Sequence, residues 1–255
     1  MGIDLSSTAS DVVGLIVVAA FFTSALTAMV GAGGGTALLL LMLYLMPAGQ
    51  VVPVHGGIQL AANMTRVVLF WRHMQWPIIW RFVVPMPAGV YLGLQLYDML
   101  SAAALQLVIA GFVLLSLLLR VPETAQPSGP PGWVYIVTGF FIGVGNMIVG
   151  VLAPVLGALL RLENMPKERL VGTLGFFGLA GNLFKIAGFA LVGFAFAPHA
   201  LTIACAALAT VAGTYVGKRL LARLSSRLFT TLFQIMLAAL AVRLIWQAMP
   251  VFLTS

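Results

Sequence analysis

Polar residues at helical spacing interrupt an apolar stretch in the first half of the chain. They are His55, Gln59, Asn63 and Arg66. Their spacing of four, four and three residues places them on one face of a helix. A guanidinium on that face can hold an oxyanion through two parallel hydrogen bonds, so the stripe predicts a site for a small anion. The alternatives are interhelical hydrogen bonds for the two amides and an interfacial position for His55 and Arg66.

A second polar group repeats part of this pattern 119 residues later, from Asn63 to Asn182. Arg66 follows Asn63 by three residues, and Lys185 follows Asn182 by the same spacing. A charge at mid-membrane depth costs at least ~2.5–3.5 kcal/mol, so such a residue usually faces a cavity and serves function. We expect both cations to face one central cavity and bind an oxyanion there, with Asn146 as a further candidate. Snorkelling to the interface is the alternative for Lys185.

Glycines break the first long apolar run at MVGAGGGTALLLLM, residues 29–42. Each glycine costs a helix roughly 1 kcal/mol relative to alanine. Non-helical backbone at membrane depth persists only where it is buried in protein or lines a watery cavity. Open peptide N–H groups, together with the positive end of a helix that begins near Thr36, favour an anion site. Close packing of helices through small residues is the alternative. The predicted binding residues of this segment are Gly31, Gly33, Gly34, Gly35 and Thr36.

The composition identifies the class of protein. Hydrophobic residues make up 62% of the chain and charged residues only 7%, whereas a soluble domain carries about 25% charged residues. The apolar runs are continuous, which excludes a barrel and predicts an all-α polytopic membrane protein. In such a protein the net charge of +7 reports orientation and favours an anionic substrate; it does not indicate nucleic-acid binding. The sequence contains no HExxH or GxSxG motif and no carboxylate pair at depth, so we expect no enzyme activity, metal site or cofactor.

The chain divides into two related transmembrane repeats, residues 1–120 and 133–255, joined by a cytoplasmic linker at 121–132. The linker is rich in proline, glycine and polar residues, which cannot be lipid-exposed. Each half also carries a pair of small residues four apart, Gly89 with Gly93 and Gly213 with Gly217. Apolar segments are predicted at about 12–30, 36–46, 56–71, 77–97, 103–120, 133–148, 151–160, 172–194, 200–217 and 228–248.

The distribution of basic residues favours a hairpin at the glycine break. If the chain enters the membrane, turns at Gly31–Gly35 and leaves on the same side, each half has three crossings plus a re-entrant helix pair. The basic residues near segment ends then share one face, in agreement with the positive-inside rule. The odd number of crossings makes the halves inverted repeats and places both termini in the periplasm. The alternative is a single kinked crossing in place of the hairpin.

The glycine-rich break, the asparagine in the following helix and their repetition resemble the sulfite exporter TauE/SafE family. Gly31–Gly35 fits the Gly-x-Gly-Gly-Gly run of that family, and MPKERLVGT, residues 165–173, is similar to the segment before its next helix. The second copy, GVGNMIVGVLAP, keeps Gly145 and Pro154 but lacks the run of glycines. The resemblance implies a bacterial inner-membrane transporter that exports sulfite or an organosulfonate such as sulfoacetate.

Taken together, these patterns predict a transporter that moves a small anion by alternating access through a cationic midplane site. A passive anion channel and an importer of another small organic anion are the alternatives. The apolar segments contain no Asp or Glu, which leaves His55 as the plausible buried group that titrates near neutral pH. The expected partners are the anionic substrate and the lipid bilayer, with a homodimer left open.

Overall fold

The computed structural model describes residues 5–30, 34–118, 129–151, 153–163, 165–220 and 226–254. The regular elements in these ranges are all helical, which confirms the prediction of an all-α protein. Most of the linker predicted at 121–132 lies outside the described residues. The helices are α1 Leu5–Val30, α2 Gly34–Leu45, α3 Ala48–Phe70, α4 Trp76–Val83, α5 Met86–Asp98, α6 Ala102–Leu118, α7 Gly132–Ile148, α8 Ala153–Arg161, α9 Lys167–Leu191, α10 Ala200–Leu220 and α11 Ser226–Thr254.

Helix α3 begins earlier than the apolar pattern predicts. It starts at Ala48 instead of near residue 56, and Pro53 lies inside it. A proline lacks the N–H that would bond the carbonyl four residues back, which here belongs to Gly49. The Tyr97 hydroxyl of α5 donates a hydrogen bond to that carbonyl instead, at 2.9 Å. A side chain from another helix thus offsets the bond that the proline removes.

Proline also divides the segment predicted at 77–97, because α4 ends at Val83 and α5 begins at Met86, with Pro85 between them. The pair still forms one apolar stretch, Trp76–Asp98, that is long enough to cross a membrane. The described residues contain three more candidate spans. These are Ser10–Thr27, Glu168–Leu191 and Ala197–Gly217. The chain is therefore a multi-pass membrane protein.

Helices α2 and α8 are too short to cross a bilayer by themselves. Helix α2 has 12 residues and α8 has 9. At the α-helical rise they measure about 18 and 14 Å, against ~30 Å of hydrocarbon. Helix α2 is enclosed by protein, since Leu38, Leu39 and Leu40 are all fully buried. It belongs to the interior of the bundle and not to the surface that lipid would cover.

The small-residue pairs mark two close helix contacts. A β-carbon at Gly89 in α5 would clash with the carbonyl oxygen of Phe140 in α7, and one at Gly213 in α10 would clash with that of Phe21 in α1. The second glycine of each pair, Gly93 or Gly217, meets the backbone one turn further along the same partner. Because the contacts advance in the same direction along both helices of a pair, the two helices of each pair are parallel. Backbones this close require residues without side chains.

Helices α3 and α9 cross in the opposite sense. The β-carbon position of Gly56 lies 2.8 Å from Cδ of Lys185, whereas that of Gly175 lies 2.9 Å from Cβ of Arg66. The contacts advance along α3 as they retreat along α9, so the two helices are antiparallel. Gly178 lies between these points and faces the amide of Asn63 at 2.7 Å. The predicted polar stripe therefore lies in the interface between the two helices.

Replacing Gly89 by alanine tests the close packing of α5 on α7. The added β-carbon meets backbone, which cannot rotate away, so we expect a loss of about 1–3 kcal/mol in the free energy of unfolding. Thermal unfolding of the purified protein in detergent measures this loss. The matched control is Gly111→Ala in α6, whose β-carbon has open space around it and should leave stability unchanged or slightly raised. Equal melting temperatures for the two variants would contradict the contact.

Candidate anion site

The first turn of α2 lies against both α1 and α3. Gly31 and Gly33, which belong to the turn predicted at Gly31–Gly35, fall outside the described residues. At Gly34 a β-carbon would clash with the carbonyl oxygen of Thr23 in α1. Gly34 thus serves close helix packing, the alternative considered for these glycines. The β-carbon position of Gly35 lies 3.3 Å from Nε2 of Gln59 in α3, which brings two predicted site residues together.

His55 joins the same turn. Its Nε2 lies 2.9 Å from the carbonyl oxygen of Gly35, and the residue is only 1% exposed. Thr36, the third residue of α2, is 2% exposed. His55 therefore lies inside the protein, beside the N-terminus of a buried helix. The predicted cluster of Gly35, Thr36, His55 and Gln59 is assembled by the contact of α2 with α3.

Lys185 lies at the adjoining part of the α3–α9 interface and is completely buried. Its ammonium donates to the carbonyl oxygen of Gly150 at 2.7 Å and to Oδ1 of Asn182 at 3.3 Å. The absence of a side chain at Gly56 makes room for the lysine stem. This burial excludes snorkelling as the role of Lys185. Both of its acceptors are uncharged, so these hydrogen bonds leave the positive charge without a neutralising carboxylate.

Gly150 lies at the break between α7 and α8, which the separate apolar segments 133–148 and 151–160 predict. Sequence reasoning did not include Gly150 itself among the site residues. The second copy of the motif keeps Gly145, but that residue lies inside α7, which continues to Ile148. Gly150 then adopts a φ of +77°, which favours glycine, and α8 begins at Ala153. A signal was available, because Gly150 follows Gly31 by 119 residues, the spacing that relates Asn63 to Asn182. The break frees a backbone carbonyl to accept the hydrogen bond of Lys185.

Asn63 and Asn146 lie against glycines of α9. Nδ2 of Asn146 in α7 donates to the carbonyl oxygen of Gly181 at 2.8 Å. Asn146, Asn63 and Asn182 are each less than a tenth exposed. The bond of Asn146 is the kind of interhelical hydrogen bond that was the alternative for the polar stripe. In the structure Asn146 fastens α7 to α9, next to the break at Gly150.

Arg66 lies away from Lys185. Its guanidinium donates to Oδ1 of Asn63 at 3.0 Å, and the residue is half-buried. Lys185 contacts α3 at Gly56, which is ten residues or about 15 Å along the helix from Arg66. The backbones of the two predicted cations therefore lie about three helical turns apart, and their binding to one small anion stays a prediction. Each cation donates a hydrogen bond to the asparagine three residues before it.

Comparisons with known proteins identify a family. A family model described as Sulfite exporter TauE/SafE matches residues 16–244 of the 255 residues. No curated protein and no solved structure matches the chain. The match confirms the resemblance seen in the glycine run, and it covers both halves and every predicted site residue.

Replacing Gly150 by alanine tests the second helix break. A left-handed conformation costs an alanine about 1–2 kcal/mol, and its β-carbon would lie 3.2 Å from Leu39 and displace the carbonyl that Lys185 binds. The matched control is Gly193→Ala, because Gly193 has a φ of +88° but open space around it. We expect the melting temperature in detergent to fall for both variants and to fall further for Gly150→Ala. An equal fall would contradict the packing and hydrogen-bond role of Gly150.

Proposed function

This chain belongs to the sulfite exporter TauE/SafE family, and we propose that it exports sulfite or an organosulfonate such as sulfoacetate. The family is one of transporters, and the chain has several helices that can span a membrane. One observation connects the proposed transport with a particular side chain. Lys185 is fully buried in a span and donates to two uncharged oxygens of the described residues. A buried charge of this kind is stabilised by a counter-charge, which a bound oxyanion supplies.

The proposal includes two inverted halves, and swapped helix pairs support it. Phe140 follows Phe21 by 119 residues. The carbonyl oxygen of each lies against the first glycine of a small-residue pair. In this arrangement the N-terminal helix of each half packs on a late helix of the other half. The contact of Gly56 with Lys185 and that of Gly175 with Arg66 are related in the same way. Gly175 follows Gly56 by 119 residues, and Lys185 follows Arg66 by 119 residues. Reciprocal contacts are the property of a two-fold arrangement.

The same contacts support the proposal of a re-entrant hairpin in each half. With a kinked crossing in each half, every half would contain four crossings and α3 would run parallel to α9. With a hairpin in each half, the number of crossings is odd and α3 runs antiparallel to α9. The antiparallel contacts, and the shortness of α2 and α8, favour the hairpin. With the basic residues inside, both termini are periplasmic in a bacterial inner membrane, and residues 1–120 and 133–255 are the two repeats.

The mechanism is alternating access between the two cations. Arg66 is half-buried and lies toward the C-terminal end of α3, which Arg72 follows. This end of α3 is cytoplasmic in the proposed topology. Arg66 receives the anion first through parallel hydrogen bonds. Lys185, about 15 Å further along the helices, then exchanges the Gly150 carbonyl for the anion. The N-terminus of α2, with Gly35 and Thr36, adds peptide N–H groups to the same end of the site. The homodimer stays a prediction.

Ligand-induced thermal stabilisation tests the proposed site. We expect sulfite or a sulfonate, but not a carboxylate, to raise the melting temperature by several degrees, since a ligand at 100 times its Kd stabilises by about 2.7 kcal/mol. Lys185→Met should remove this response, because it keeps the length of the side chain and deletes the charge. The matched control is Arg243→Gln, which deletes an exposed cation stacked on Tyr44 and should keep the response.

Two results would count against the site: a response that survives in Lys185→Met, or the absence of a response to every sulfur oxyanion in the unmodified protein. Reconstituted proteoliposomes separate a carrier from a channel. Saturable sulfite flux with counterflow supports the exporter, whereas ohmic single-channel currents support the passive channel.

Single cysteines test the hairpins. In a Cys205→Ser background, Met99→Cys follows α5 and Ala195→Cys follows α9, and both positions are exposed. A membrane-impermeant thiol reagent should label both in intact cells, because the hairpin topology places them on the periplasmic face. His73 precedes α4, at the opposite end of the span formed by α4 and α5. His73→Cys should therefore react only after permeabilisation. Labelling of positions 99 and 195 from opposite faces would instead support a kinked crossing.

A further inference from the structure

Two buried polar atoms beside the N-terminus of α2 have no hydrogen-bond partner among the described residues. They are Oγ1 of Thr36 and Nδ1 of His55. Both residues are at least 98% buried, and His55 is tied to the turn through its bond to Gly35. An unpaired polar atom in the interior costs free energy and requires an explanation. A ligand at this helix end would supply the missing partners.

The hydrogen bond of His55 determines what its free nitrogen can do. The carbonyl oxygen of Gly35 only accepts, so Nε2 of His55 must carry the hydrogen of that bond. In the neutral ring Nδ1 is then a bare acceptor. A doubly protonated ring would add a second buried cation near Lys185, whose stem lies against the next residue, Gly56. The acceptors of Lys185 are uncharged and would not neutralise it. The subsite therefore presents an acceptor at Nδ1 and, at Thr36, a hydroxyl that can donate.

We propose that His55 and Thr36 form a subsite that selects oxyanions carrying a hydrogen-bond donor, such as a protonated oxygen or a hydroxyl group. Thr36 and the first peptide N–H groups of α2 donate to the oxyanion, and Nδ1 of His55 accepts the hydrogen that the ligand carries. A fully deprotonated oxyanion offers nothing to Nδ1 and leaves it unpaired. The inference rests on the proposed function and names the substrate class within it: hydrogen sulfite or a hydroxyl-bearing sulfonate is preferred.

Two sulfonates of equal size isolate this preference. 2-Hydroxyethanesulfonate and propane-1-sulfonate carry the same charge and the same number of heavy atoms, and only the first has a hydroxyl group. We expect the purified full-length protein to bind the hydroxyl-bearing ligand about tenfold more tightly, since an unpaired buried acceptor penalises the other ligand. Isothermal titration calorimetry in detergent measures both dissociation constants. This comparison needs no variant, so it does not depend on any mutant folding.

Variants then assign the preference to residues. His55→Leu should reduce the tenfold ratio to about one. His55→Gln should restore it, because an amide can donate to the Gly35 carbonyl and still offer an acceptor. Thr36→Val keeps the side-chain volume and removes the hydroxyl, so it should weaken both sulfonates by a similar factor and leave their ratio unchanged.

The outcomes separate this inference from the proposed function. Equal affinity of the unmodified protein for the two sulfonates would overturn the inference, as expected if a trapped water satisfies both atoms, while sulfonate binding itself would still support the exporter. A ratio that persists in His55→Leu would also overturn it. Failure of sulfite and of both sulfonates to bind would remove the proposed function together with the inference.

Discussion

The structure depends on keeping one ammonium group inside a membrane-spanning bundle. Lys185 is fully buried and donates to a backbone carbonyl and an amide oxygen, both uncharged. A charge in such surroundings requires hydrogen bonds in good geometry and space for a four-carbon stem. Gly56 provides the space, and the helix break at Gly150 provides a carbonyl that no helix uses. These features explain why two glycines, far apart in sequence, lie beside the same side chain.

Glycines also set the distances between the helices that carry the site. Gly89 and Gly213 bring α5 onto α7 and α10 onto α1 at backbone contact. Lipid does not drive helices together as water does, so close van der Waals packing through small residues supplies the association. The crossing of α3 and α9 is held in the same way, with polar side chains of one helix on glycines of the other. The packing residues and the proposed binding residues therefore lie in one interface.

The two halves share a framework but not the same chemistry. Each has an asparagine that accepts a hydrogen bond from the cation three residues later. The position that corresponds to His55, 119 residues later, is Leu174, and the position that corresponds to Gln59 is Gly178. The proposed polar subsite at a helix N-terminus is thus not repeated at these two positions of the second half. A transport cycle between related halves would move an anion from one kind of cation to another.

Hydropathy, the spacing of polar residues and the internal repetition determined the class of protein, most helices and several of the buried polar residues, because these properties are local and periodic. Sequence patterns could not establish that Pro53 lies inside α3, because Tyr97 of another helix satisfies the freed carbonyl. Nor could they show that the Gly150 carbonyl accepts a hydrogen bond from Lys185, or how far the backbones of Arg66 and Lys185 lie apart along the α3–α9 interface. Those features depend on which helices are neighbours and on whether neighbours run parallel or antiparallel. Only the tertiary structure, such as the antiparallel crossing of α3 with α9, determines both.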